Sequence, residues 1–116
     1  MMKIRLACKA FVPSEILPRI PGARMTPREL TRALRAALAS EQEAVILYQA
    51  IADATDEDTA RAVLESIANE ERVHTGELQR LIEMLDAYEL ELMAEGAEEA
   101  DAIAEANQAK REEKKP

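Results

Sequence analysis

Little in this sequence can make a turn. Of 116 residues only three are Gly and five are Pro, and four of the prolines, Pro13, Pro18, Pro21 and Pro27, precede residue 28. A β-rich fold needs such residues at each reversal, so an all-α fold is expected. Trp is absent and aromatic residues make up 3%, which leaves Ala, Leu and Ile to supply the apolar surface and suits closely packed helices. Cys8 is the lone cysteine and excludes an intrachain disulfide framework. The first 25 residues lack the uninterrupted apolar stretch of a signal peptide or membrane span, so the expected compartment is the cytoplasm, with no membrane partner. Cations are also scarce. Fifteen Lys and Arg face 23 Asp and Glu for a net charge of −8, a balance that repels nucleic-acid phosphates and favours metal cations.

The chain reads as three segments. Residues 1–25, broken by proline and Gly22, form an irregular N-terminal arm. Its apolar residues, Phe11, Val12 and Ile16 among them, are expected to pack on the bundle or on a neighbour. At Thr26-Pro27-x-Glu29 a capping residue, a proline at the first helical position and an acid at the positive dipole end open a helix. From there Leu30, Leu34, Ala37, Glu41, Ala44, Tyr48 and Ile51 recur at alternating spacings of four and three, which predicts a helix to about Ala54 with one stripe turned to a partner. Thr55-Asp56-Glu57-Asp58 supplies a short reversal and a new helix start. The second helix repeats the pattern through Ala60, Leu64, Ile67, Glu71, His74, Leu78, Leu81 and Leu85. It is expected to reach Met93 before Gly96 stops it, with a break near Asp86. Residues 26–96 therefore form a helical hairpin, and residues 97–116 a short acidic helix with the frayed, charged tail Lys110–Pro116.

A two-helix hairpin cannot bury both stripes by itself, so a second copy is expected to dock and complete a four-helix bundle. Three stripe positions break the apolar pattern. Glu41, Glu71 and His74 stand where Leu or Ile would pack better, and a buried carboxylate costs several kcal/mol unless it is paired or bound to a cation. Glu71 and His74, three residues apart, project from one helix face. Di-iron carboxylate bundles take a Glu from each of two helices and Glu-x-x-His from each of two others, and one copy of this chain offers half of that set. A two-fold axis doubles it to four Glu and two His. Oxygen-rich ligation with one imidazole per metal suits iron, with manganese and zinc next. Tyr48, two turns beyond Glu41, reads either as a hydroxyl within reach of a carboxylate ligand or as a half-buried core aromatic. Glu43, Glu70 and Glu77 flank the set as a solvated face.

In Glu41-x-Glu43-Ala-Val-x-x-Tyr48, the Ala-Thr-Asp turn at 54–56, Asn69-Glu70-Glu71-x-x-His74 and the 26-residue interval from Tyr48 to His74, the chain resembles the encapsulated ferritins of the ferritin-like superfamily. The resemblance covers residues 26–96. It implies an antiparallel hairpin equal to half a ferritin. It also implies a di-iron ferroxidase centre shared between two subunits through Glu41, Glu71 and His74, with Glu43 and Glu70 along the iron's entry route. As partners it implies homodimers that assemble into a decameric ring, and an encapsulin shell that stores the oxidised iron. Two positions depart from the family: Leu47 stands where Trp is common, and KREEKKP lacks the Gly and Leu of a shell-docking peptide. The rival readings are a rubrerythrin-like peroxide scavenger or other di-metal carboxylate protein, and a non-enzymatic acidic adaptor or assembly module.

Overall fold

The computed structural model describes residues 24–116. The expected N-terminal arm, apart from its last two residues, lies outside the described residues. Three α-helices and no strand make up the described chain: α1, Pro27–Ala54; α2, Asp58–Leu85; and α3, Ala87–Glu113. The fold is the all-helical class that the scarcity of turn residues implied.

Each helix start has a local cause. Thr26 Oγ1 accepts from the Glu29 backbone N–H at 3.2 Å, and the Glu29 carboxylate accepts from the Thr26 N–H at 2.7 Å, with Pro27 in the first turn. This reciprocal box satisfies two backbone donors that a helix end otherwise leaves open, and removing such a cap costs about 1 kcal/mol. Glu57 opens α2 by accepting from Thr59 N at 3.1 Å and Ala60 N at 2.6 Å with its two carboxylate oxygens. Asp86 caps α3 through Tyr88 N at 3.1 Å.

The first compact unit ends at Leu85. Within it α1 and α2 run antiparallel: Arg61 reaches Ala52 and Thr55 at the closed end, while His74 lies beside Glu41 further along. The core is thin and made of small side chains. Ala36, Ala44, Ala52, Ala68 and Ile82 are buried, joined by the polar Ser40 and Glu71. On α1 these residues form a row at steps of four, Ala36, Ser40, Ala44, the half-buried Tyr48 and Ala52, the ridge that helices of small residues present to one another. The stripe expected from the sequence shares Ala44 and Tyr48 with this row and departs from it toward both ends of α1. Ala37, Ile51, Leu81 and Leu85 of that stripe are exposed within one chain. The hairpin closes largely on its alanines because they allow the backbones to approach, and apart from Ile82 the larger apolar residues are half-buried or exposed.

Asp86 to Pro116 form the second unit. Here the expected short C-terminal helix after residue 97 is replaced by one of 27 residues. The second helix breaks at Asp86 and not at Gly96, and Gly96 lies inside α3 with no positive φ. Glycine ends a helix when it takes the left-handed conformation; with helical angles it only weakens the segment, by about 1 kcal/mol relative to Ala. Lys110 and Arg111, expected in a frayed tail, complete the last turns, where basic residues suit the negative end of the dipole. The hairpin boundary accordingly falls at Leu85 rather than at residue 96. No described helix is long and apolar enough to cross a membrane.

Candidate metal centre

The sequence positions Glu41 in the middle of α1 and Glu71 with His74 in the middle of α2, and the hairpin brings them level. Each offers one ligand atom, and these atoms lie within 4.8 Å of one another. His74 Nδ1 is 3.5 Å from Glu71 Oε2 and 3.8 Å from Glu41 Oε2. Such distances are long for hydrogen bonds. They are close to the about 3.0–3.4 Å that separates neighbouring ligands when each sits about 2.1 Å from a shared cation. Among the described residues this is the one group of three or more His, Cys, Asp or Glu side chains arranged closely enough for a metal ion.

Burial makes the group chemically unusual. Glu71 is among the most buried side chains of the chain, in the company of Ile82, and its Oε2 has no hydrogen-bond partner. A buried carboxylate oxygen left in this state forfeits its hydration without compensation, at a cost of about 1–3 kcal/mol or more for a charged group. The deficit is what a cation supplies. The donor set, two carboxylates and one imidazole, is also the hard and borderline set that binds first-row divalent ions. The residues present thus fit a metal. Side-chain exposure rises from 2% at Glu71 through 18% at Glu41 to 39% at His74, so the group opens toward the outside of the hairpin. The group therefore offers three donors and is open on one side.

The acids Glu43, Glu70 and Glu77 are not members of this group. Tyr48 is half-buried in the α1 row, Glu43 is half-buried, and Glu70 and Glu77 are exposed on α2. Thr75 donates its hydroxyl back to the Glu71 carbonyl at 2.9 Å. One structural residue escaped the sequence reading. Arg61, a cation one turn into α2, binds the end of α1, and the signal for it is that α1 has no basic residue in its own last turn.

The family model described as Rubrerythrin matches residues 32–115. The encapsulin nanocompartment cargo protein EncC of Myxococcus xanthus is 41% identical over 63 residues, which are 54% of this chain and 48% of that protein. The ferritin-like-encapsulin shell fusion protein of Pyrococcus furiosus is 33% identical over 78 residues, 67% of this chain and 23% of that protein. The chain therefore spans about half or less of the curated relatives it matches. The crystal structure of the encapsulated ferritin domain from Pyrococcus furiosus resembles this one with a TM-score of 0.69 at 28% identity, over 78% of this chain and 91% of that one.

Proposed function

Because the chain belongs to the rubrerythrin family of ferritin-like proteins, we propose that it is a ferroxidase, taking Fe(II) as substrate at a di-iron site that two copies of the chain share. The observation that carries the reading is the buried Oε2 of Glu71, which makes no hydrogen bond and lies close to His74 and Glu41.

In this reading Glu71 is the fixed ligand of the site. Its burial holds the carboxylate in one orientation and in a low-dielectric setting, where its attraction for a cation is strong. His74, one turn later on the same helix, adds the neutral nitrogen donor. Glu41 comes from the opposite helix and is more exposed, so it meets the ion from the solvent side. Two such sets across a two-fold axis give four carboxylates and two imidazoles, the di-iron complement of this bundle class. Iron supplies the redox chemistry: each Fe(II) gives up one electron, and a pair of ions reduces one dioxygen by two. The protein's part is to hold two ions close together and to favour the higher charge of the product with anionic ligands.

Tyr48 is assigned to the ligands' surroundings, and Glu43 and Glu70 to the acidic approach that draws cations in. One relative is named as an encapsulin nanocompartment cargo protein and the other as a ferritin-like-encapsulin shell fusion protein. By extension this chain would work inside such a shell within the cytoplasm, delivering Fe(III) for storage. Fe(II) added to the protein in air tests the activity: growth of Fe(III) absorbance well above the protein-free rate is expected, and an unchanged rate would reject it.

A further inference from the structure

The fully buried side chains of the α1–α2 seam are mostly small. Among the described residues they are Ala36, Ser40, Ala44, Ala52 and Ala68, with Ile82 the large apolar one, and larger residues such as Leu34, Leu64, Ile67 and Leu78 are only half-buried. Interdigitated large side chains normally set the axial position of packed helices, and a row of alanines has few. Yet the metal-binding reading needs that position held tightly. A slip of one residue moves a helix about 1.5 Å along its axis and turns its side chains by about 100°, enough to part Glu41 from Glu71 and His74.

At the closed end of the hairpin one side chain ties the helices at a defined level. Arg61, on α2, donates from Nη2 to the Thr55 carbonyl at 2.6 Å and from Nε to the Ala52 carbonyl at 3.4 Å, and its Nη1 lies 4.0 Å from Asp58 of its own helix. The helix end it grips needs it. The α1 C-cap Thr55 is extended, and no described glycine takes the left-handed conformation that would return a donor to the last carbonyls. The guanidinium is a planar fork, so two simultaneous bonds, one to a carbonyl of the last turn of α1 and one to the carbonyl of its C-cap, fix both distance and rotation in a way that one flexible ammonium does not. Its level also matches that of the ligands. Eleven residues separate Ala52 from Glu41 on one helix and ten separate Arg61 from Glu71 on the other, arms of about 16 and 15 Å.

We infer that Arg61 is a positioning residue: its fork on the Ala52 and Thr55 carbonyls sets the register of α1 against α2, and thereby the convergence of Glu41 with Glu71 and His74. The inference rests on the metal reading for its functional meaning and on the seam alone for its geometry, so the test has two separate readouts. In full-length Cys8→Ser protein, spin labels at Arg32→Cys and Arg80→Cys, exposed and level on the two helices, report the inter-helix distance after dilution with unlabelled protein. With Arg61 present a single narrow distance is expected. Arg61→Met should broaden or shift it while circular dichroism keeps its helical signal. Arg61→Lys, which retains charge and stem, serves where Arg61→Met does not fold, and it should broaden the distance too, because one donor group cannot reproduce the fork. An unchanged distance in the folded variant would overturn the inference. Co(II), read by its visible absorption, is the second probe. Binding should weaken about tenfold in Arg61→Lys, the usual scale for losing a residue that holds a ligand in place. The loss should be less than additive when combined with Glu41→Gln, since the variant acts through that ligand; full additivity would also overturn it. Absence of Co(II) binding in the parent protein would reject the metal reading and leave the spin-label distance to decide on Arg61.

Discussion

Glu71 Oε2 lies 3.5 Å from His74 Nδ1, one turn further along α2, and is buried with no hydrogen bond to offset the loss of water. The pair is costly as protein and favourable as a ligand set. Several testable consequences come from that imbalance.

Truncating either partner should remove the chemistry. Glu71→Ala and His74→Ala are expected to bring Fe(II) oxidation down to the protein-free rate, since each deletes a donor whose place no other group can take. Glu43→Ala should only slow iron uptake, because a half-buried acid outside the ligand group acts through a screened field. Absorbance kinetics in air separate the cases. Equal losses in all three variants would mean that the division between ligands and approach acids is misdrawn.

Association should depend on metal. The ligand group is open on one side, and Ile51, Leu81 and Leu85 remain exposed on the flank of the hairpin, so a second copy both completes the coordination and covers apolar surface. Binding that occurs only in the associated state shifts the equilibrium toward it by mass action. Light scattering of the protein with and without Fe(II) under anaerobic conditions should show a larger mass with metal. A monomer that takes up a full complement of iron unaided would contradict the shared site.

How much of this was legible in the sequence depends on which residues carry it. The hairpin and its ends were legible because the signals are local: Thr26, Pro27 and Glu29 form the predicted cap within four residues, and the 54–58 reversal is signalled by its own side chains. Glu41, Glu71 and His74 stood out because each interrupts a period of apolar residues, and the hairpin brings them together in space. The face on which α1 meets α2 was legible only in part. Alternating four and three spacing selects Ala44 and Tyr48, which the observed row shares, but also Leu30, Ala37 and Ile51, where the row has Ala36, Ser40 and Ala52. Hydrophobic periodicity ranks positions by apolar size, and a close-packed seam of this kind is chosen by smallness. Arg61 was hidden for a related reason, since its partners are backbone carbonyls that leave no mark on the side-chain pattern.

Stability without metal should rise when the buried charge is removed. Glu71→Leu or Glu71→Gln takes away a buried carboxylate oxygen that makes no hydrogen bond, and replacing such groups by packed neutral ones often gains about 1–4 kcal/mol. For a domain near this size that corresponds to several degrees in melting temperature. Thermal unfolding in the presence of a chelator should therefore place these variants above the parent, while added Fe(II) stabilises the parent alone. An adaptor whose seam acids are satisfied by protein partners predicts the reverse, with the Leu variant melting first.

The last prediction separates two roles for one glycine. Were Gly96 the stop of the second helix, as its place in the sequence suggests, it would need the left-handed conformation, and a Cβ there would be strained. In the structure it sits in the middle of α3 with no positive φ, and a Cβ built at this position meets nothing within 4 Å. Under those conditions Gly contributes only backbone freedom that the helix must give up. Gly96→Ala should then stabilise α3 locally by about 1 kcal/mol. Because α3 buries no residue in this chain, its stability rests largely on propensity, capping and charge placement, and a single residue weighs heavily. Amide exchange of residues 94–100 should slow about fivefold in the variant, and the helical signal in circular dichroism should hold or increase. Faster exchange over that stretch would mean that Gly96 does terminate a helix, and that the single-residue break belongs there instead of at Asp86.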